Sequence, residues 1–180
     1  MRLGRLALAL AAATVLAGSA HAANGSFLGF QTQSADPINV TSDTLEVYDE
    51  GAQRISIFSG KVKVVRGPTT MTAATMKLFS STAAGATSGF TRIEADGKIN
   101  VTSEGQTLTG DKAVVDNIAN TITVTGNVVM SQGGSVIAGD RLVVDMITGR
   151  VKVEQSKGQQ IRGVFAPGDV NMAGPSAGGQ

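Results

Sequence analysis

The chain has 180 residues, with 15 Lys and Arg against 14 Asp and Glu, 23 Gly, no Cys, 42% hydrophobic residues and only 4% aromatic ones. Those figures allow one domain of ordinary size whose core is built from Val, Ile, Leu, Met and Ala rather than from rings. They argue against a nucleic-acid partner, which needs a basic field or a stacking platform, and they rule out disulfide staples and thiolate metal sites.

In chain order, Arg2 and Arg5 precede an apolar run from Leu6 to Ala17 that closes on Ala20-His21-Ala22. This is the pattern of an export signal, so residues 1–22 are expected to form a cleaved signal peptide. The run falls short of the roughly 20 apolar residues of a membrane-spanning helix, and no later segment exceeds it, so no spanning segment is expected after cleavage. Residues 23–35 and 166–180 are rich in Gly, Ser, Ala and Pro without a sustained period. They read as a flexible N-terminal tail and a disordered C-terminal tail around one domain, 36–165.

Loss of the signal removes His21, the only histidine, and with it Ser-His-Asp, Cys-His and imidazole-zinc chemistry. Lys77, Lys98, Lys112 and Lys157 have no Ser three positions earlier, and neither Gly60-Lys61 nor Gly97-Lys98 has the upstream glycine of a phosphate-binding loop. No enzyme activity, metal or cofactor is expected. The catalytic alternative left open is a carboxylate pair acting on a glycosidic bond.

The domain itself is repetitive. Gly60, Gly97 and Gly126 each open a polar residue followed by alternating apolar ones, as in Gly60-Lys61-Val62-Lys63-Val64, Gly97-Lys98-Ile99-Asn100-Val101 and Gly126-Asn127-Val128-Val129-Met130. Alternation of this kind marks a half-buried strand after a turn. In the same register stand Met71, Leu108 and Ile137, then Ala74, Asp111 and Asp140, then Met76 and Leu78, Ala113 and Val115, and Leu142 and Val144. A second strand therefore follows each first one. Val40, Asp43, Leu45 and Val47 match the end of a unit, and Gly149, Val151 and Val153 match the start of one. Despite its Ala and Met content, the run from Thr72 to Ala84 reads as strand because its aligned counterparts are rich in Val, Ile and Thr.

The pattern predicts an all-β protein of about sixteen strands of roughly four to six residues. Repeats that bury one apolar face together fold either as an antiparallel roll of two sheets or as a parallel β-helix. Such strands are too short for a lipid-spanning barrel. Asp43, Asp111 and Asp140 read as acceptors of backbone N–H bonds in turns.

Asp36-Pro37-Ile38-Asn39-Val40-Thr41-Ser42-Asp43, then Phe58-Ser59-Gly60-Lys61-Val62-Lys63-Val64, and later Thr125-Gly126-Asn127-Val128-Val129-Met130-Ser131-Gln132-Gly133 together resemble the OstA-like family, over 36–165. The stretch from Ser80 to Thr91, rich in Ala, Gly and Ser, departs from the frame and lengthens the first unit. The resemblance implies an antiparallel β-jellyroll, open at both ends, that carries lipopolysaccharide across the periplasm from the inner to the outer membrane by head-to-tail assembly. The partners it implies are lipopolysaccharide, an inner-membrane LptC-like adaptor, an outer-membrane LptD-like translocon and further copies of the chain.

Candidate lipid-groove residues are the alternating inward positions Val62, Val64, Ile99, Val101, Leu108, Val115, Val128, Met130, Ile137, Leu142 and Val144, with Met71, Met76 and Met130 as adaptable surface. Unpaired edge strands would join copies, which makes Ile38, Val40, Leu45, Val47, Val151, Val153 and Ile161 the candidate oligomer edges. Lys61, Lys63, Arg66, Lys98 and Lys112 are candidates for lipid phosphates at a groove rim. The competing function is a structural or adhesive β-helix that only polymerises, marked by a dry and fully packed interior.

Overall fold

The computed structural model describes residues 36–85, 89–156 and 158–167. The signal peptide, the N-terminal tail, residues 86–88 of the lengthened stretch, Lys157 and most of the C-terminal tail lie outside these residues. The described chain holds ten strands in one sheet: β1 (Asn39–Thr41), β2 (Thr44–Glu50), β3 (Gln53–Arg66), β4 (Thr69–Ser81), β5 (Phe90–Ser103), β6 (Gln106–Asp116), β7 (Thr121–Gln132), β8 (Ser135–Asp145), β9 (Val151–Glu154) and β10 (Arg162–Val164). Every strand pairing is antiparallel, so the fold is the roll and not the parallel β-helix.

Strand length is the point on which sequence and structure differ. The six strands from β3 to β8 run 11 to 14 residues rather than four to six. Apart from a further slip between Phe79 and Ser80 in the β4–β5 ladder, each ladder between them slips once, between Ser59 and Val62, Thr72 and Thr75, Asp96 and Ile99, Thr109 and Lys112, and Thr125 and Val128. At these slips Gly60, Gly97 and Gly126 have φ of 79°, 85° and 78°, and the following Lys61, Lys98 and Asn127 have φ of 46°, 52° and 47°. Two successive left-handed residues turn a strand sharply without ending it. The long strands, each read as two halves, and the four short ones together give the sixteen segments expected.

The bends align into a single crease that divides the sheet into two leaves of eight segments each. Side chains of paired residues share a face, so the inner rows can be read directly from the ladders. One row of the first leaf runs Leu45, Phe58, Met76, Ala95, Ala113, Val124, Leu142, Val153, and the next runs Val47, Ser56, Leu78, Ile93, Val115, Ile122, Val144, Val151. The second leaf answers with Val40, Val64, Met71, Val101, Leu108, Met130, Ile137 and Gly163. Residues of both leaves belong to one core cluster. The outer face carries cross-strand ion pairs instead, Arg92 with Asp116 at 3.4 Å, Lys112 with Asp96 at 3.5 Å and Arg141 with Glu154 at 3.3 Å. Exposed pairs of this kind add little stability, but they keep the outer face wet and the register fixed.

The inside of the crease requires small residues. Ala73, Gly110 and Gly139 stand thirteen positions after Gly60, Gly97 and the corner at Gly126, and a Cβ on Gly110 or Gly139 would run into the methyls of Val124 or Val153.

Candidate functional site between the leaves

The two leaves meet at the crease and diverge towards their tips, where the hairpin turns form two lips. Between the lips on the N-terminal side lies a cavity of about 600 Å³, within the range of roughly 300–1,000 Å³ typical of ligand sites. Its walls are Ile38, Val40, Phe58, Val64, Met71, Met76, Leu78, Phe90, Ile93, Val115, Ile122 and Met146, with Arg66, Thr69, Gly89, Asn117 and Asn120 completing the lining. No Asp or Glu lines it among the described residues, so the paired carboxylates that glycoside cleavage needs are not brought together there.

All eleven groove candidates project from the inner face, but the structure separates them. Val64 and Val115 line the cavity. Val62, Ile99, Val101, Leu108 and Val128 are 1–2% exposed and Leu142 is fully buried, with Met130 and Val144 also in the core cluster. Ile137 is half-buried against that cluster. The interior is thus packed along the crease and in the C-terminal half of the second leaf. There Ser135, at a lip position, is fully buried and its hydroxyl accepts the N–H of Ala166 at 3.1 Å. The matching lip residues Thr69 and Ser103 are also buried and bond each other at 2.9 Å. Of the Met residues singled out, Met71 and Met76 line the cavity and Met130 does not.

The candidate groove positions singled out in the sequence do not include Phe58, Leu78, Phe90, Ile93, Ile122 and Met146, which are cavity walls. Phe58, Leu78, Ile93 and Ile122 lie on the alternating register, and that signal was available. Phe90 and Met146 sit at strand ends, where alternation says nothing.

The edge candidates fall at the two ends of the sheet. Val40 lies on β1 and Leu45 and Val47 on β2, at one end, with Ile38 just before β1; Leu45 and Val47 are more than half exposed although they belong to the inner rows. At the other end Val151 and Val153 are on β9 and are half-buried, and Ile161 precedes β10 and is exposed. Among the rim cations, Arg66 lines the cavity, whereas Lys61 and Lys98 are exposed at the crease. Lys63 and Lys112 project from the outer face.

The three aspartates expected in turns differ in place and in detail, Asp43 standing between β1 and β2 but Asp111 within β6 and Asp140 within β8, at the crease. Asp140 accepts the N–H of Ser156 at 2.8 Å, as expected, and the carboxylate of Asp111 accepts the side-chain amide of Asn127 at 2.9 Å. The Asp43 backbone N–H donates to the carbonyl of Gly60 at 2.9 Å. No group of metal-ligating side chains gathers among the described residues. No helix among the described residues is long and apolar enough to cross a membrane.

A repeat-built antiparallel sheet, creased along one line and gaping at one side over an aliphatic interior, defines the class of open β-rolls. Residues 39–150 match the family model described as LptA/(LptD N-terminal domain) LPS transport protein. An uncharacterized protein of Rhizobium meliloti (strain 1021) is 35% identical over 127 residues, which is 67% of this chain and 67% of that protein. The crystal structure of LptH, the LptA-homologous periplasmic component of the lipopolysaccharide transport device of Pseudomonas aeruginosa, shares the fold with a TM-score of 0.58 at 18% identity, over 73% of this chain and 96% of LptH. The chain belongs to the LptA/(LptD N-terminal domain), or OstA-like, family of lipopolysaccharide transport proteins. These are transport proteins, not enzymes.

Proposed function

We propose that the chain is a periplasmic carrier that shelters the acyl chains of lipopolysaccharide between its leaves and passes the lipid from the inner to the outer membrane through copies joined head to tail. The observation that carries this reading is the cavity of about 600 Å³ lined by aliphatic, Met and Phe side chains and set between the lips. Burying an acyl chain of roughly a dozen carbons is worth on the order of 10 kcal/mol, at about 0.8 kcal/mol per methylene. A carrier must replace that burial at each transfer, and an apolar cavity open at one side does so without a covalent step. Met71, Met76 and Met146 give it unbranched, adaptable walls.

A lipid with several chains needs more room than the cavity alone, so in this reading the lips part further on loading. Val62, Ile99, Val101, Leu108, Val128, Met130, Ile137, Leu142 and Val144 then extend the lipid surface begun by Val64 and Val115. The exposed edge at β1 and β2 would receive β9 and β10 of the next copy, continuing the inner rows from Val153 to Leu45 across the junction. An LptC-like adaptor and an LptD-like translocon would present matching edges at the two membranes. Residues 1–22 serve as the export signal and 36–165 as the carrier domain, with 23–35 and 166–180 as tails.

The polymerising scaffold is favoured by one observation, the closed packing along the crease and in the C-terminal half of the second leaf. A photo-crosslinking residue at Val115, on the cavity wall, and another at the neighbouring outward position Val114 separate the two readings. A carrier gives an adduct with radiolabelled lipopolysaccharide at Val115 and none at Val114. No adduct at Val115, or equal adducts at both, defeats the carrier.

A further inference from the structure

The two lips differ in kind. The turns of the second-leaf lip are Gly67-Pro68, Glu104-Gly105 and Gly133-Gly134, which hold no Val, Ile, Leu, Met or ring. The lip of the first leaf carries Ile118, between β6 and β7, and Ile147, between β8 and β9. At 78% and 77% these are the most exposed large apolar side chains among the described residues. Their turns are neighbours on the sheet, two strand spacings or roughly 10 Å apart, and the Met146 N–H donates to the Asn120 carbonyl at 2.9 Å to join them. The side-chain amide of Asn117 reaches the Phe90 carbonyl at 2.6 Å, so the start of β5 belongs to the same rim. Phe90, Asn117, Asn120 and Met146 line the cavity, which places the two isoleucines at its mouth.

Both turns are built alike. One carboxylate oxygen of Asp116 accepts the N–H groups of Ile118 and Ala119 at 3.0 and 2.8 Å, and one of Asp145 accepts those of Ile147 and Thr148, both at 2.9 Å. The N–H groups of Asn117 and Gly149 donate to the carbonyls of Thr91 and Asp145 at 3.0 and 2.8 Å. Backbone donors already satisfied in this way can leave water at little cost, and an isoleucine presented on them gains by leaving it. Arg92 bridges Asp116 at 3.4 Å, so the charge beneath Ile118 is balanced. Two separate convex tips suit a fluid apolar medium that closes around each, whereas a protein partner has to supply a matching pocket for both.

We infer that the first-leaf lip docks on a lipid bilayer, with Ile118 and Ile147 inserted among the acyl chains and the cavity mouth held at the membrane surface. This goes beyond the carrier reading and does not depend on it.

The test is flotation of the chain, as exported, with vesicles of pure phosphatidylcholine. Ile118→Ser and Ile147→Ser are each expected to weaken partition about tenfold, and the double variant about a hundredfold. Added salt leaves the wild-type partition unchanged, because apolar contact and not charge carries it. Val129→Ser, on the outer face of the second leaf, leaves it unchanged as well. All three side chains are exposed, so urea midpoints stay at the wild-type value. Since the chain has no Trp, Ile118→Trp, Ile147→Trp and Val129→Trp report depth: brominated phosphatidylcholine quenches the first two and spares the third.

A wild type that stays off the vesicles, a double variant that floats as the wild type does, or equal quenching in Val129→Trp and Ile118→Trp overturns the docking. So does a double variant whose defect lies in self-association by sedimentation velocity and not in flotation, which makes the rim a contact between copies. None of these results touches the lipopolysaccharide adduct at Val115, by which the carrier reading stands or falls separately.

Discussion

The carboxylate of Asp111 fills the space that a Cβ on Gly126 would need, across the crease between β6 and β7. Asp43 stands in the same way against Gly60, and the methyl of Ala74 does so against Gly97. Each corner glycine is thus required twice, once by its left-handed backbone and once by the side chain that the neighbouring strand lays over it.

These two requirements can be separated. Gly105 has φ of 80° but nothing within 4 Å of a prospective Cβ, whereas Gly126 has φ of 78° and Asp111 above it. Gly105→Ala should cost about 1–2 kcal/mol from backbone strain alone. Gly126→Ala should cost at least about 1 kcal/mol more from overpacking. Urea denaturation of the two variants measures the difference, and equal losses would show that Asp111 swings aside freely.

The closed and open parts of the roll should respond differently to truncation. Leu142 is fully buried in the closed part, and Leu142→Ala should cost about 3 kcal/mol, as cavity-forming core substitutions do. Met71 already faces the cavity, so Met71→Ala should cost less, about 1–2 kcal/mol, and should weaken lipid binding more than Leu142→Ala does. Unfolding midpoints and lipid titrations on both variants check this.

Acid should loosen the C-terminal end. The Ser156 hydroxyl, and then its backbone N–H, hold the Asp140 carboxyl below the usual aspartate range, and the N–H groups of Thr148 and Ile147 do the same for Asp145. A group with a lowered folded pKa contributes its full stability above the unfolded value, near about 3.9, and loses it as pH falls through the folded value. The urea midpoint should therefore drop below about pH 4. Asp140→Asn and Asp145→Asn should lower the midpoint at neutral pH and flatten its fall in acid, and an unaltered pH profile would contradict this.

Head-to-tail assembly should be sensitive to one residue at the exposed end. Leu45 is 55% exposed in the single chain, so Leu45→Asp should change the unfolding midpoint little. In the proposed junction it would set a charge between apolar rows, and sedimentation velocity should show assembly shifted at least about tenfold to higher concentration. Assembly unchanged from wild type would argue for a different contact.

Much of this architecture was legible because period-two alternation and corner glycines are local signals. The leaf positions of Val62, Val101, Val128 and Leu142 followed from them directly. Strand continuity did not, because Lys61, Lys98 and Asn127 adopt left-handed backbone that their side chains do not announce. The difference between a packed part and an open part was also hidden. Leu142 and Val115 read alike in a row, and only the placement of the lips, and of Ala166 over Ser135, makes one a core residue and the other a wall.

The crease is set from outside by Gly60, Gly97, Gly126 and their covering side chains, while the lining is set by residues two and more positions away. Backbone shape and interior chemistry are therefore written in separate alphabets. Relatives can retailor what they shelter, one aliphatic exchange at a time, on an unchanged chassis.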